Sequence, residues 1–480
     1  MSEQQYSPKL SNADLAPAQQ NWSWYNIFSF WMSDVHSMGG YIVAASLFAL
    51  RLASWQVFIA LIVGILIVQV SANLVAKPSQ IAGVPYAVIA RQAFGVYGAN
   101  IPALIRGFIA VSWYGIQTWL ASNALMLVLI KFYPSLAPLT QSSFVGLSAL
   151  GWICFAIMWI LQALVFWKGM QAIRVFIDWA GPLVYVVMFA LAAWLVAQVG
   201  WSNISFNLSS KNLSTAEQVM QTLVAIALVV SYFSGPLLNF GDFSRYGKSM
   251  QQVRKGNFWG LPFNFIFFSL LTVVTVSATY SLFGKMVHDP LETVAMIDNT
   301  TAVIIGLLTL LTATIGINIV ANFVSAGFDF SNVWPQKLSF RSGGMIAAIG
   351  SVLITPWNLF NSPELIHYTL DVLAAFIGPL FGILIADFYW IKKQQIQVAD
   401  LFNDQPSGAY WYKNGFNPKA ISALAPAVVI GLVFTLVPQL QHVAPFNWFI
   451  GAILGASFYY FLARPSRALM TQTATKTLGK

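Results

Sequence analysis

The stretch Ser33-Asp34-Val35-His36-Ser37-Met38-Gly39-Gly40 lies inside an otherwise apolar segment of membrane-spanning length. It sets two ionisable side chains and a glycine pair where a membrane helix accommodates them poorly. A second interruption, Ser231-Tyr232-Phe233-Ser234-Gly235-Pro236, falls in the sixth apolar segment. With the segments taken in groups of five, both interruptions stand in the first member of a group. Irregular backbone at bilayer depth is tolerated only where it is buried in protein or lines a cavity. Discontinuous helices at matching positions of two halves point to the substrate site of a transporter. A proline kink alone accounts for the sixth segment, but it does not account for the pairing with the first.

Around these two stretches, apolar segments of spanning length run near 27–50, 54–76, 99–130, 144–167, 172–198, 218–240, 259–284, 300–328, 344–360, 364–391, 420–440 and 444–463. The expected fold class is an all-α polytopic membrane protein with twelve transmembrane helices. Pro356 makes the ninth segment the weakest. Composition agrees. Of 480 residues, 58% are hydrophobic and 8% charged, with mean hydropathy +0.69, far from the roughly 25% charge of a soluble domain.

The net charge of +9 does not indicate nucleic acid, because the basic residues are scattered through short connections and form no continuous face. Their distribution fits the positive-inside rule instead. Only Arg51, Lys131, Lys211 and Lys285 fall on one side; Arg106 lies within the third segment, and the other nineteen of 24 share the opposite side. Both termini are therefore expected in the cytoplasm of a multi-pass protein of the plasma membrane, the inner membrane in a bacterium. Residues 1–23 carry no signal-peptide pattern. Cys154 is the only cysteine, so no disulfide within the chain and no Cys-based metal site is expected.

The expected organisation is a cytoplasmic tail at 1–23, a first group of five helices at 24–198, an extracellular loop at 199–217, a second group of five at 218–393, a cytoplasmic loop at 394–419, two further helices at 420–463 and a tail at 464–480; the two groups are the repeats that the resemblance given below implies. The stretch 78–98 is amphipathic and too polar to span, so it is expected as an interfacial or loop helix on the cytoplasmic side. Tyr410-Trp411-Tyr412 is expected at the membrane surface.

Within the third segment, Trp113 and Gln117 stand four residues apart and share a helix face. An indole and a carboxamide side by side stack on, and hydrogen-bond to, a flat uncharged heterocycle; a helix-tying Gln and an interfacial Trp are the competing reading. A carboxamide answers a ring N–H beside a C=O with both an acceptor and a donor. No Lys or Arg is expected at this site, which argues against nucleotides, organic acids and amino acids. Arg106 is expected nearer the cytoplasmic end, snorkelling or paired, and Asp242 with Arg245 is expected to anchor the end of the sixth helix to the interface. The chain has no metalloprotease, nucleophile-elbow or cofactor-loop motif, and its single, sparse polar residues do not make a channel filter.

Several of these motifs occur together in one known family. Gly-Val-Pro-Tyr at 83–86, Trp-Tyr-Gly-Ile-Gln-Thr-Trp at 113–119, Asn-Phe-Gly-Asp-Phe-Ser-Arg-Tyr at 239–246, Asn318 to Asn322 and Thr355-Pro356-Trp357-Asn358 resemble the nucleobase-cation symporter-1 family of hydantoin, allantoin, uracil and cytosine permeases. The resemblance runs from about Asn21 to Ala463. It implies a LeuT-like five-plus-five inverted repeat with helices 1 and 6 broken and two added helices. It further implies that Trp113 and Phe233 sandwich the substrate ring while Gln117 and Asn322 read its edge, with Ser37 at a position that is Gln or Asn in relatives. Phe233 stands where hydantoin and allantoin members carry Trp and uracil-type members Phe, so a pyrimidine such as uracil or thymine is the first expectation and hydantoin or allantoin the second.

The resemblance also implies a sodium site with two hydroxyl side chains on helix 8, but those positions are Gly316 and Ile317. Hard cations need several oxygen ligands. Asp34 and His36 beside the first interruption, and Asp371 on helix 10, are candidate proton-coupling groups; as structural groups they would cap broken backbone, hydrogen-bond as a neutral ring, or pair with His367. Ser33, Ala313 and Thr314 complete the candidate coupling set. No cofactor or metal is expected, the coupling ion is expected to be a proton with sodium as the alternative, and the partners are a small heterocycle and the bilayer, with the protein acting as a monomer.

Overall fold

The computed structural model describes residues 6–36, 47, 50–206, 213–285, 287, 293, 296, 299–359 and 361–464. Among them, ten helices are long and apolar enough to cross a bilayer. They are α2 (Ser54–Ala82), α3 (Asn100–Phe132), α4 (Ala149–Trp167), α5 (Met170–Val199), α6 (Thr215–Leu238), α7 (Met250–Phe283), α8 (Thr300–Val333), α10 (Glu364–Ile391), α11 (Pro418–Leu436) and α12 (Ala444–Ala463). The first and ninth expected segments give shorter helices, α1 (Trp24–Val35) and α9 (Phe340–Leu353). At about 1.5 Å per residue, the 14 residues of α9 fall short of a ~30 Å hydrocarbon core. Pro356 sets that limit: it disfavours helix at the residue before it, Thr355 stands at φ 48°, and Pro356–Asn358 forms a single tight turn.

α1 packs on α5 and on the start of α7, α2 lies along α6, and α3 lies against α4, α8 and α9. α10 joins α11 and α12 to the rest of the bundle and also touches α6.

The two interruptions differ from each other. α1 ends at Val35, with His36 as its C-cap, and helix is seen again at Leu47; Ser37 and the glycine pair lie outside the described residues. In α6, helical structure continues through Pro236 to Leu238, so the interruption comes later than expected, at Asn239 and Phe240, before a short turn of helix at Gly241–Ser244. The loss of one N–H at Pro236 is absorbed within the helix. At Gly241, a Cβ would stand 2.4 Å from Ser79 Oγ, so the chain passes α2 at a distance only glycine allows.

The two stretches expected at the cytoplasmic surface pack on one another. α2 runs on to Ala82 and is capped by Gly83 in the left-handed region. Tyr86–Ile89 and Arg91–Phe94 then form two buried turns. Their cover is the 401–417 connection: the N–H groups of Tyr97 and Gly98 donate to Gly415 O, that of Asn417 to Phe94 O, and Tyr412 Oη donates to Gln92 O. Tyr410 is only 3% exposed. Two polar stretches more than 300 residues apart satisfy one another's backbone, which removes the need for water.

The segment before α1 is likewise packed and does not trail as a free tail. Ala18 N donates to Gly83 O and Trp22 N to Tyr246 O. Asn12 Nδ2 reaches Ser331 Oγ, Pro335 O and Leu338 O, and Asp14 Oδ2 accepts from Phe340 N. Arg245 donates to Asp14 O and Ala16 O and lies over the Tyr246 and Phe328 rings. Asp242 and Arg245 are thus buried, at 0% and 2% exposure, and Arg245 ties the end of α6 to the segment before α1.

Candidate substrate site

One small cavity at the C-terminal end of α1 collects most of the polar residues that the third segment and its surroundings suggested. It is lined by Asp34 from α1; Arg106, Trp113 and Gln117 from α3; Tyr232 and Pro236 from α6; and Ile317, Ala321 and Asn322 from α8. The α3 contribution follows from spacing. Residues 106, 113 and 117 are seven and four apart and share a face. The centre of a water-sized sphere has about 20 Å³ of room here, space for a water molecule but not for a ring. The site is contracted in this conformation.

Trp113 forms one wall, meeting Tyr232 edge to face at 5.7 Å between ring centroids. Phe233, expected on that wall, is turned away. It packs edge to face on Phe265 at 5.4 Å and lines a separate apolar cavity of about 400 Å³ between α2, α6 and α7. Adjacent helix residues project about 100° apart, and Tyr232, one position earlier, lines both cavities while Phe233 lines only the apolar one.

Gln117 and Asn322 both face the Trp113 cavity. Asn322 is oriented by a buried chain of amides: its Nδ2 donates to Asn318 Oδ1 at 2.8 Å, and Asn318 Nδ2 donates to Gln162 Oε1 at 2.6 Å and to Thr118 Oγ1 at 3.1 Å. The sequence reading did not single out Thr118 or Gln162. The available signal was a polar residue in each of two apolar segments, with Thr118 one position after Gln117. Asn318 to Phe323 forms a wide helical turn inside α8, a feature frequent at functional sites.

Arg106 contradicts the expectation of a site without a basic residue. It is 1% exposed and does not reach an interface. Its Nε donates to Gly235 O at 3.3 Å and its Nη2 to Ala321 O at 2.8 Å, tying α3 to α6 and α8. Nη1 is buried with no partner among the described residues, as is Asp34 Oδ1 on another residue of the same cavity wall. Beneath them, Asn239 Nδ2 donates to Asp242 Oδ2 and Asp329 Oδ2, and Tyr86 N donates to Asp242 Oδ1. Burial pushes the Asp242 carboxyl well above the usual carboxylate range, against the hydrogen bonds from Asn239 and Tyr86 and the charges of Arg245 and Arg106.

The other coupling candidates divide. His36 sits outside the cavity, edge-on to Tyr185 at 4.2 Å and Phe268 at 4.4 Å. Asp371 lies on α10 where its backbone carbonyl accepts from Asn447 of α12; it does not line the cavity, and no ion pair with His367 occurs among the described residues. Ser33 does approach α8: a Cβ added to Gly316 would stand 3.5 Å from Ser33 Cβ and 3.7 Å from its Oγ. Ala313 and Thr314 are buried nearby on α8, and the hydroxyls of Ser33 and Thr314 have no partner among the described residues. The described residues contain no His, Cys, Asp and Glu cluster suited to a metal ion.

Residues 15–451 match the sequence family described as permeases for cytosine and purines, uracil, thiamine and allantoin. The chain is 32% identical to an allantoin permease of Bacillus subtilis (strain 168), over 98% of this chain and 97% of that one. It is also 32% identical to a purine-uracil permease of Arabidopsis thaliana, over 89% of this chain and 72% of that one. Among solved structures, it is similar to Mhp1, a nucleobase-cation-symport-1 family transporter, in a closed conformation with bromovinylhydantoin bound. That match has a TM-score of 0.76 at 20% identity and covers 95% of this chain and 96% of that one. At that identity the likeness shows the fold, a LeuT-like polytopic bundle.

Proposed function

The chain belongs to the nucleobase-cation symporter-1 family of membrane permeases, and on that premise we propose that it takes up a neutral, flat heterocycle by symport with a proton. It is a transporter and not an enzyme. The observation that carries the substrate reading is the convergence of Trp113, Gln117 and Asn322 on one cavity between α1, α3, α6 and α8. The indole offers a stacking face, and the two carboxamides match a ring N–H and C=O. Tyr232 takes the role first given to Phe233. Uracil and thymine share the imide edge with hydantoin and allantoin. Because Phe233 faces another cavity, the aromatic argument for a pyrimidine loses its basis, and the ring edge alone does not rank the two groups.

Proton coupling is supported by Gly316 and Ile317 standing where the family pattern places hydroxyls, and by Asp34 in the cavity wall beside the end of α1. Occupancy there biases access only if it changes the equilibrium between conformations. Placement in the plasma membrane with both ends cytoplasmic rests on the distribution of basic residues. The test is uptake into proteoliposomes with a panel of uracil, thymine, cytosine, allantoin and benzyl-hydantoin, under an imposed proton or sodium gradient. Saturable uptake of at least one ring, driven by the proton gradient, is expected. Uptake driven by sodium alone would overturn the ion assignment, and uptake of none would overturn the substrate class.

A further inference from the structure

We propose that Asp34 and Arg106 form a second subsite, which takes an exocyclic ureido group carried by the substrate ring. The proposal rests on the assignment of the ring itself to Trp113, Gln117 and Asn322. Asp34 Oδ1, an acceptor, and Arg106 Nη1, a donor, are both buried in the wall of the same cavity with no partner among the described residues. The two residues are 1% exposed each. No ion pair within 4.0 Å joins them, although they interact electrostatically.

A buried donor or acceptor left unpaired is costly, so an orphaned pair of opposite kind on two residues that line one cavity calls for a ligand that offers both an N–H and a C=O. A ureido group does so: its two N–H groups suit a carboxylate and its carbonyl oxygen suits a guanidinium. The opposite charges of the two residues also offset each other, which keeps the site suited to a neutral molecule.

Position agrees with an arm rather than a ring edge. Arg106 precedes Trp113 by seven residues, about 10 Å along α3, and its other guanidinium nitrogens are held by Gly235 O and Ala321 O. The head group is therefore fixed beyond the stacking face, on the side of the ring toward the α6 interruption. Gln117 lies one turn to the other side of Trp113. A ring between them extends a substituent toward Asp34 and Arg106.

Binding of allantoin, which carries the ureido arm, and of hydantoin, the same ring without it, to the purified full-length protein by isothermal titration tests the proposal. The wild-type protein is expected to bind allantoin roughly ten-fold or more tightly than hydantoin, as for a site whose buried polar groups are otherwise unmatched. Asp34→Asn and Arg106→Gln are expected to weaken allantoin binding more than hydantoin binding, reducing that ratio toward one. Equal affinity of the wild-type protein for the two compounds overturns the proposal without any variant, and so does an equal loss of both compounds in folded variants. Failure of both compounds to bind overturns the arm proposal, and failure of uracil and thymine as well overturns the ring assignment, an outcome distinct from loss of the arm preference alone.

Discussion

Trp113 and Gln117 are separable from the residues that hold them. Trp113→Ala removes the stacking face and Gln117→Ala the edge recognition, so each is expected to raise the half-saturating substrate concentration at least roughly ten-fold. Size-exclusion profiles should remain monodisperse, because the cavity they line is already water-sized. Tyr232 and Phe233 should behave oppositely to one another. Phe233 is 1% exposed and packs on Phe265, so Phe233→Ala is expected to cost about 3–5 kcal/mol of stability with little change in substrate affinity. Tyr232→Ala should weaken binding and leave thermal stability nearly intact. A reversal of those two patterns in a melting and uptake comparison would place the ring on the other side of α6. The sequence could not decide between these neighbours, because a motif fixes a register only to within a residue and one residue turns a side chain by about 100°. Arg106 was open to a closer reading: its spacing to Trp113 already put it on the same face.

At the scale of elements, α3 and α8 bring Gln117 and Asn322 to the cavity, and the amide chain Gln162–Asn318–Asn322 orients the α8 contribution. Gln162→Leu removes a buried partner of Asn318 without touching the cavity and is expected to weaken substrate binding several-fold through Asn322. Unchanged affinity would mean that Asn322 is held by its own packing. The contact between α1 and α8 makes a second prediction. Gly316 has ordinary van der Waals room for a side chain opposite Ser33, so Gly316→Ser with Ile317→Thr should add oxygen ligands and produce sodium-stimulated uptake where the wild type shows little. Spanning segments were legible because a bilayer demands about twenty apolar residues whatever the tertiary contacts. The buried turns at 86–94 were not legible, since their cover comes from 401–417 and polarity alone resembles that of a surface helix.

Across the whole molecule, the two ends of the bundle differ. At the end that carries most basic residues, the segment before α1, the 86–98 turns and the 401–417 connection interlock through backbone hydrogen bonds. The cavity has room for a water molecule only and must widen before a ring enters. Arg106 ties α3 to α6 and α8 through Gly235 O and Ala321 O. Protonation-linked uptake should therefore fall as external pH rises and collapse with a protonophore, while replacing sodium by choline changes little. Strong sodium stimulation at fixed pH would show that Ser33, Thr314 and backbone carbonyls supply what Gly316 and Ile317 lack.

Counterflow in proteoliposomes tests the central claim most directly, because a carrier exchanges labelled for unlabelled substrate with no net driving force and independently of the coupling ion. The wild-type protein should exchange at least one of uracil, thymine, hydantoin and allantoin, N-methylation of the imide edge should abolish competition, and Trp113→Ala and Gln117→Ala should show no exchange. Exchange by both variants at the wild-type rate, or equal competition by a ring with no N–H donor, would contradict the assignment of the cavity as the substrate site.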